Sequence, residues 1–188
     1  MHHPATRLAE NHDLTTAADT LRDAFADYPW TRWVIPAEDY LATLQELQQL
    51  YLQHAHRHGI VLLTADYAGV AALLPADAPP PDDESIARII ELHGDRIDRL
   101  SSSDAAPGSW TLETLGVRPH RQGHGIGGLL LEKAVEEAQQ RGASGLALDT
   151  SDLRNVRLYE RAGFRVSSHA TPSEGPEVWS MIRTFGTG

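Results

Sequence analysis

Four glycines within six positions, Gly123, Gly125, Gly127 and Gly128, stand where an apolar stretch gives way to an amphipathic one. The whole run reads Leu115-Gly-Val-Arg-Pro-His-Arg-Gln-Gly-His-Gly-Ile-Gly-Gly128. Trp110–Val117 has the pattern of a strand, and the period from Gly125 to Arg141 is helical. A second strand, Leu146–Thr150, completes one βαβ unit whose strands must run parallel. Glycines without side chains let a ligand come close to the turn's backbone. The N–H groups of Gly123 to Gly128 then lie at a helix N-terminus, where they and the helix dipole suit a pyrophosphate.

The turn alone leaves three readings open. Gly123, Gly125 and Gly128 also satisfy the dinucleotide spacing G-x-G-x-x-G, and Asp149 falls at the end of the following strand. Close strand-to-helix packing without any ligand would use the same residues. The run Asn155-Val-Arg-Leu-Tyr159-Glu-Arg-Ala-Gly163-Phe164 separates these readings, because a dinucleotide fold has no use for it.

Gln122-Gly-His-Gly125-Ile-Gly127 resembles the Gln/Arg-x-x-Gly-x-Gly/Ala signature of the GNAT N-acetyltransferases. Asn155, Tyr159, Gly163 and Phe164 resemble that family's second signature, so the likeness covers Ser109 to Val166. A closer likeness, over most of the chain, is to the puromycin N-acetyltransferases. It rests on Ala24-Phe-Ala-Asp-Tyr-Pro29, Leu158-Tyr-Glu-Arg-Ala-Gly-Phe164 and Glu174-Gly-Pro-Glu-Val-Trp179.

The resemblance implies acetyl-CoA as the cofactor, with Leu115, Gly116, Val117, Gln122, Gly123, His124, Gly125, Ile126, Gly127, Gly128, Asn155 and Tyr159 against it. It implies that the strand ending in Val117 splays from its parallel neighbour. Peptide groups near Leu115 and Val117 are then left for the amide-rich pantetheine arm, since unpaired backbone groups are costly. The Val117 N–H becomes the candidate to polarise the thioester carbonyl. Tyr159 takes the family's general-acid position, a phenol of reference pKa about 10 able to give a proton to a departing thiolate. Asn155 either hydrogen-bonds the cofactor or caps the short helix.

Glu113 stands in an otherwise apolar strand, where burial raises a carboxylate's pKa towards the range of a working base unless a cation pairs with it. It also matches a position from which members of the family draw a base. Asp149 is the second candidate, and a structural salt bridge is the alternative for Glu113. In Tyr28-Pro-Trp-Thr-Arg-Trp33 the rings of Tyr28, Trp30 and Trp33 either fill core under a loop or wall an acceptor pocket. Aromatic faces suit a cationic amine with an apolar body.

Composition narrows the function further. The chain has no cysteine, which excludes disulfides, cysteine zinc sites and an acyl-cysteine intermediate. Its formal net charge of −10 disfavours nucleic acid and is compatible with a cationic acceptor. His54 and His58 are four apart on a helix, but no further ligand accompanies them, so no metal is expected. No apolar run reaches membrane-spanning length and the N-terminus lacks a signal-peptide core, so the expectation is a cytoplasmic protein that needs no membrane.

The 188 residues suit one domain, 1–188. Strands are expected at Ala5–Ala9, Ile60–Ala65, Ala68–Leu74, Phe164–His169 and Val178–Thr184, besides the two in the βαβ unit. Helices are expected from Asp13 to Ala26, Ala37 to His58, Glu84 to Leu100 and Leu153 to Ala162. Tyr28–Trp33 is read as a break, Pro75–Asp83 as a stiff loop whose acidic residues are plain surface, and Ser101–Gly108 as a polar loop. Tyr40, Leu44, Leu47 and Tyr51 form one helix face. Ile86, Ile89, Ile90, Leu92 and Ile97 suggest another, buried stripe.

The fold class is therefore α/β (mixed α+β). The resemblance makes it the acyl-CoA acyltransferase fold, a mixed, mostly antiparallel sheet of about six or seven strands flanked by helices. The expected activity is acetyl transfer to a primary amine of a small molecule, an aminonucleoside or another amine antibiotic, by direct attack in a ternary complex. Acetylation of a protein N-terminus or lysine is the alternative within enzymes, and acyl-CoA sensing without turnover is the alternative outside them. Retention of Tyr159 and Glu113 argues against a sensor. The protein is expected to be a monomer or homodimer.

Overall fold

The computed structural model describes residues 4–100 and 106–186. A seven-stranded sheet crosses the molecule in the order β1-β2-β3-β4-β5-β7-β6. Its strands are β1 (Thr6–Leu8), β2 (Ile60–Thr64), β3 (Gly69–Leu74), β4 (Ser109–Val117), β5 (Gly145–Thr150), β6 (Arg165–Ala170) and β7 (Val178–Thr184). Every neighbouring pair is antiparallel except β4 and β5. The helices are α1 (Leu14–Phe25), α2 (Pro29–Val34), α3 (Tyr40–His58), α4 (Asp83–His93), α5 (Ile126–Gln140) and α6 (Leu153–Arg161).

The sheet buries both faces, because β2 and β3 carry apolar residues in unbroken succession. Val61, Leu63, Val70 and Ala72 meet Leu14, Leu21 and Leu52 of α1 and α3. The alternate residues Leu62, Ala71 and Leu73 meet Leu130, Leu131 and Ala134 of α5. Val34, Ile35, Tyr40, Leu44 and Leu47 make a third cluster, which joins α2 to the first half of α3.

At Gly116 the helix α1 packs directly on the sheet. A Cβ built there would lie 2.8 Å from Leu21, 3.0 Å from Ala24 and 3.1 Å from Phe25. Gly116→Val is therefore expected to lower stability by about 1–3 kcal/mol, the usual cost of overpacking. Denaturant unfolding of the parent and variant measures it, and an unshifted midpoint would mean that α1 gives way freely.

Several expectations need correction. Tyr28–Trp33 does not simply break the chain: Pro29 opens the helix α2, its missing N–H costing nothing at that position. Asp13 precedes α1 but makes no side-chain cap. Its fully buried carboxylate is held by Arg7 at 2.6 and 2.8 Å and accepts from Tyr67 and from the Glu10 N–H. The helix expected through Leu100 ends at His93, where Gly94 takes a φ of 54°, and a 3-10 segment Gly94–Arg99 follows. Its stripe is not buried as a whole, since Ile86 and Ile90 are exposed while Ile89 and Leu92 pack on the third cluster. Helical period marks a face, but only the neighbour decides how wide a strip is covered. Of the expected loop Ser101–Gly108, residues 101–105 lie outside the described residues.

Candidate active site

The one parallel pair of strands comes apart. Ser109, Trp110 and Thr111 pair with Gly145, Leu146 and Ala147, and the ladder between β4 and β5 stops there. Beyond that point β4 stays paired with β3 as far as Val117, and β5 stays paired with β7 as far as Thr150. A wedge thus opens between Leu112–Val117 and Leu148–Thr150. The Arg118 N–H donates to the Ala68 carbonyl at 2.9 Å, on the β3 side. Backbone groups alternate sides along a strand, so those of Val117 and Leu115 face the wedge. In keeping with this, the Gln122 side-chain amide donates to the Val117 carbonyl at 3.0 Å.

At the mouth of the wedge lies the glycine turn. Gly123 and Gly125 have φ of 76° and 79°, a region that residues with a Cβ adopt only at a cost. Gly125 caps α5, leaving the first-turn N–H groups without partners inside the helix. A Cβ at Gly123 or Gly128 would meet nothing within 4 Å, so the turn is open on its outer side. The Cβ of Gly127 would sit 3.8–3.9 Å from Leu115, Val117 and Leu158, which ties the helix start to the wedge. Ile126 is buried beneath it, and exposed His124 donates from Nδ1 to the Gln122 carbonyl at 2.7 Å. The nearby cations are engaged elsewhere, Arg118 with Asp23 at 2.6 Å and Arg121 with Asp66 at 2.9 Å. The turn offers backbone donors rather than charged side chains.

Asp152 caps α6 by accepting from the Arg154 N–H, so Asn155 is not the cap. Asn155 lies further in, with Nδ2 3.4 Å from Thr150 Oγ1. One turn later Tyr159 is buried, its ring against Phe164. Burial first, and the neighbouring Tyr28 second, hold its phenol well above the usual tyrosine range. Tyr159 therefore keeps its proton throughout the physiological range, as an acid must. Tyr28 pins this corner: its hydroxyl accepts from the Ser151 N–H at 2.6 Å and pairs with Thr150 Oγ1 at 3.1 Å.

The inner end of the wedge opens into a cavity of about 790 Å³, which Glu113, Leu115, Asp149, Asn155 and Tyr159 all line. Glu113 is there because β4 bulges. Ala72 faces Thr114 and Leu73 faces Leu112, so Glu113 is the extra residue. The bulge leaves its carboxyl open to the cavity rather than packed in the sheet. Glu113 remains exposed at the cavity surface, yet the surrounding walls desolvate its carboxyl and, with Asp149, push its pKa up, the walls contributing more. No salt bridge to Glu113 occurs among the described residues.

Tyr28 and Trp30 line the cavity as well. Trp33 faces elsewhere, its ring against Gly175 with Arg99 above it. Sequence reasoning missed the opposite wall, which α3 supplies through Gln48, Tyr51 and His54. Tyr51 looked like the last member of a core stripe, yet it is 38% exposed. Its ring is nonetheless desolvated by the cavity walls, and this first, then the charge of Glu113, push its phenol up to about 12. A tyrosine ending a run of leucines, with a histidine three residues on, was the available signal. Pro75, Ala76, Ala78, Pro79 and Pro81 also line the cavity, so the stiff loop serves as a wall, while its acidic residues Asp77, Asp82 and Asp83 are exposed and outside the lining. No cluster suited to a metal ion occurs among the described residues, and no helix is long and apolar enough to cross a membrane.

Residues 21–164 match the model of the acetyltransferase (GNAT) family. The chain belongs to this family. GNAT members use acetyl-CoA, and the splayed strands with an open glycine turn at their mouth suit that ligand. The chain is 36% identical over 77 residues to an N-acetyltransferase of Schizosaccharomyces pombe, a match covering 40% of this chain and 47% of the relative. It spans about half the length of the curated relatives it matches. A Corynebacterium glutamicum structure described as histone acetyltransferase HPA2 and related acetyltransferase has the same fold, with a TM-score of 0.77, 21% identity and coverage of 100% and 99% of the two chains. A Brucella melitensis GNAT acetyltransferase in complex with acetyl-CoA superposes at a TM-score of 0.58, with 20% identity and coverage of 100% and 91%.

Proposed function

We propose that this GNAT protein transfers the acetyl group of acetyl-CoA to a primary amine of a small molecule, by direct attack within a ternary complex. The observation that carries the reading is the meeting of wedge and cavity. A buried phenol, Tyr159, and a carboxylate open to the cavity, Glu113, both line the space into which the wedge opens. The glycine turn and the first-turn N–H groups of α5 would hold the pyrophosphate. Backbone groups of Leu115 and Val117 would pair with the pantetheine arm. Acetyl-CoA supplies the activated acyl group. The absence of cysteine supports direct transfer over an acyl-cysteine.

In this reading the C–N bond forms as the C–S bond breaks. An ammonium acceptor loses two protons. One leaves through Glu113 to solvent, and the other replaces the proton that Tyr159 gives to sulfur. The Val117 N–H, turned towards the wedge, is placed to polarise the thioester carbonyl. The likeness to puromycin N-acetyltransferases, with Ala24–Pro29 and Glu174–Trp179 among its residues, favours an aminonucleoside or another amine antibiotic as acceptor.

Thiol release from acetyl-CoA in the presence of a panel of amines tests the reading; saturable acetyl-CoA binding without turnover would favour a sensor. The same assay tests the base. Because the Glu113 pKa is raised, the carboxylate protonates at higher pH than an ordinary one, and the parent rate falls as pH drops through that value. Glu113→Gln is expected to lose about 10²-fold or more where the amine is mostly protonated. Part of the rate returns at higher pH, or with an acceptor of lower amine pKa. Full activity of Glu113→Gln at low pH would make the carboxylate structural and leave Asp149 or solvent as base.

A further inference from the structure

The cavity is one-sided in charge. Its lining includes the carboxylates Glu113 and Asp149 but no lysine or arginine among the described residues. Its two histidines do not balance them. Burial is the main cause that depresses the pKa of both His54 and His93, so both are neutral near pH 7. Cations around this end of the molecule are engaged elsewhere, and Arg57, whose charge reaches His54, pairs with Asp82 at 3.3 Å. Arg32 stacks on the Tyr40 ring at 3.9 Å, and Arg96 and Arg99 donate to main-chain carbonyls between Arg32 and Ile35. The remaining walls combine apolar and aromatic side chains, Trp30, Tyr51, Leu44 and Pro79 among them, with neutral polar ones such as the buried amide of Gln48 and the hydroxyls of Thr111 and Thr114. A volume of about 790 Å³ accommodates a compact, drug-sized molecule.

From this arrangement we infer the acceptor's chemical class: an ammonium compound with a flat apolar body and no carboxylate or phosphate group. The inference rests on acetyl transfer being the reaction. The ammonium group meets Glu113 and Asp149, and aromatic faces suit both its charge and the ring behind it. An acceptor carrying its own carboxylate brings a like charge beside Glu113, in a cavity lined by no lysine or arginine among the described residues. Like-charge juxtaposition of this kind is a strong source of discrimination.

Three acceptors of matched body separate charge from size: 2-phenylethylamine, phenylalanine and phenylalaninamide, each assayed by thiol release from acetyl-CoA. The amine and the amide are expected to agree within about tenfold in kcat/KM, with phenylalanine at least about 10²-fold below both. Phenylalanine used as well as the amide would overturn the inference, because charge would not be read. Amide and acid used equally poorly, with the amine good, would overturn it too, since size alone would explain the ranking. His54→Arg, which brings a cation to the wall, is expected to narrow the amide-to-acid ratio at least about tenfold. An unchanged ratio in the folded variant counts against the inference, and if the variant does not fold the parent comparison still decides. Thiol release with none of the three, nor with a wider amine panel, would instead overturn the acetyl-transfer reading and this inference with it.

Discussion

Gly125→Glu is expected to abolish coenzyme A binding while leaving the protein folded. Two effects act at once. Gly125 sits at φ 79°, where a residue with a Cβ pays about 1–2 kcal/mol. It also caps α5, so the new carboxylate stands beside the first-turn N–H groups that the pyrophosphate would occupy. An anion there satisfies the helix itself and repels the ligand. Asparagine tolerates positive φ better and carries no charge, so Gly125→Asn should retain most of the binding and separates strain from charge. Calorimetric titration with coenzyme A, alongside thermal melts of both variants, measures this. A folded Gly125→Glu protein that binds coenzyme A like the parent would show that the turn is not the phosphate site.

Tyr159→Phe is the second large effect. The ring is buried against Phe164, and phenylalanine keeps that contact, so stability and acetyl-CoA affinity should change little. If the phenol protonates the departing thiolate, the chemical step should slow by about 10²–10⁴-fold. A thiolate leaves readily, which places the expected loss towards the low end. The direction of the pKa shift adds a check. With the phenol held above its usual range, the parent should show no loss of rate from Tyr159 ionisation below about pH 10. Single-turnover measurements across pH test both points. A variant as fast as the parent would make Tyr159 a packing residue.

Local chemistry made much of this protein legible. The strand, glycine turn and helix from Trp110 to Arg141 appear as β4, the turn and α5, within a residue or two at each end. Ile60–Ala65 and Ala68–Leu74 were legible as strands and appear as β2 and β3, whose burial on both faces came from the helices packed against them. Where neighbours set the outcome, the reading slipped. Ile86 and Ile90 have the same period as Ile89 and Leu92, yet α3 covers only one side of α4. Tyr51 shares the spacing of Leu44 and Leu47, but those two pack into the third cluster while Tyr51 is exposed on the cavity wall.

Glu113 shows the division most plainly. Its place in an apolar strand marked it as unusual, and from sequence that meant burial in a central sheet. The structure reaches a similar electrostatic result by another route. A one-residue bulge between Ala72 and Leu73 gives Glu113 no partner on β3 and leaves its carboxyl facing the cavity, beside Asp149 from the far strand. The sequence by itself determined the parts whose cause is local: a turn that needs glycine, strands and helices with clear period, a tyrosine at a recognisable spacing. Tertiary structure alone decided at which residue the β4–β5 ladder would stop, that α3 and a proline loop would wall the cavity, and that two carboxylates would line it with no lysine or arginine among the described lining residues. Those outcomes depend on register and on what packs opposite, and neither is written in the order of residues along one segment.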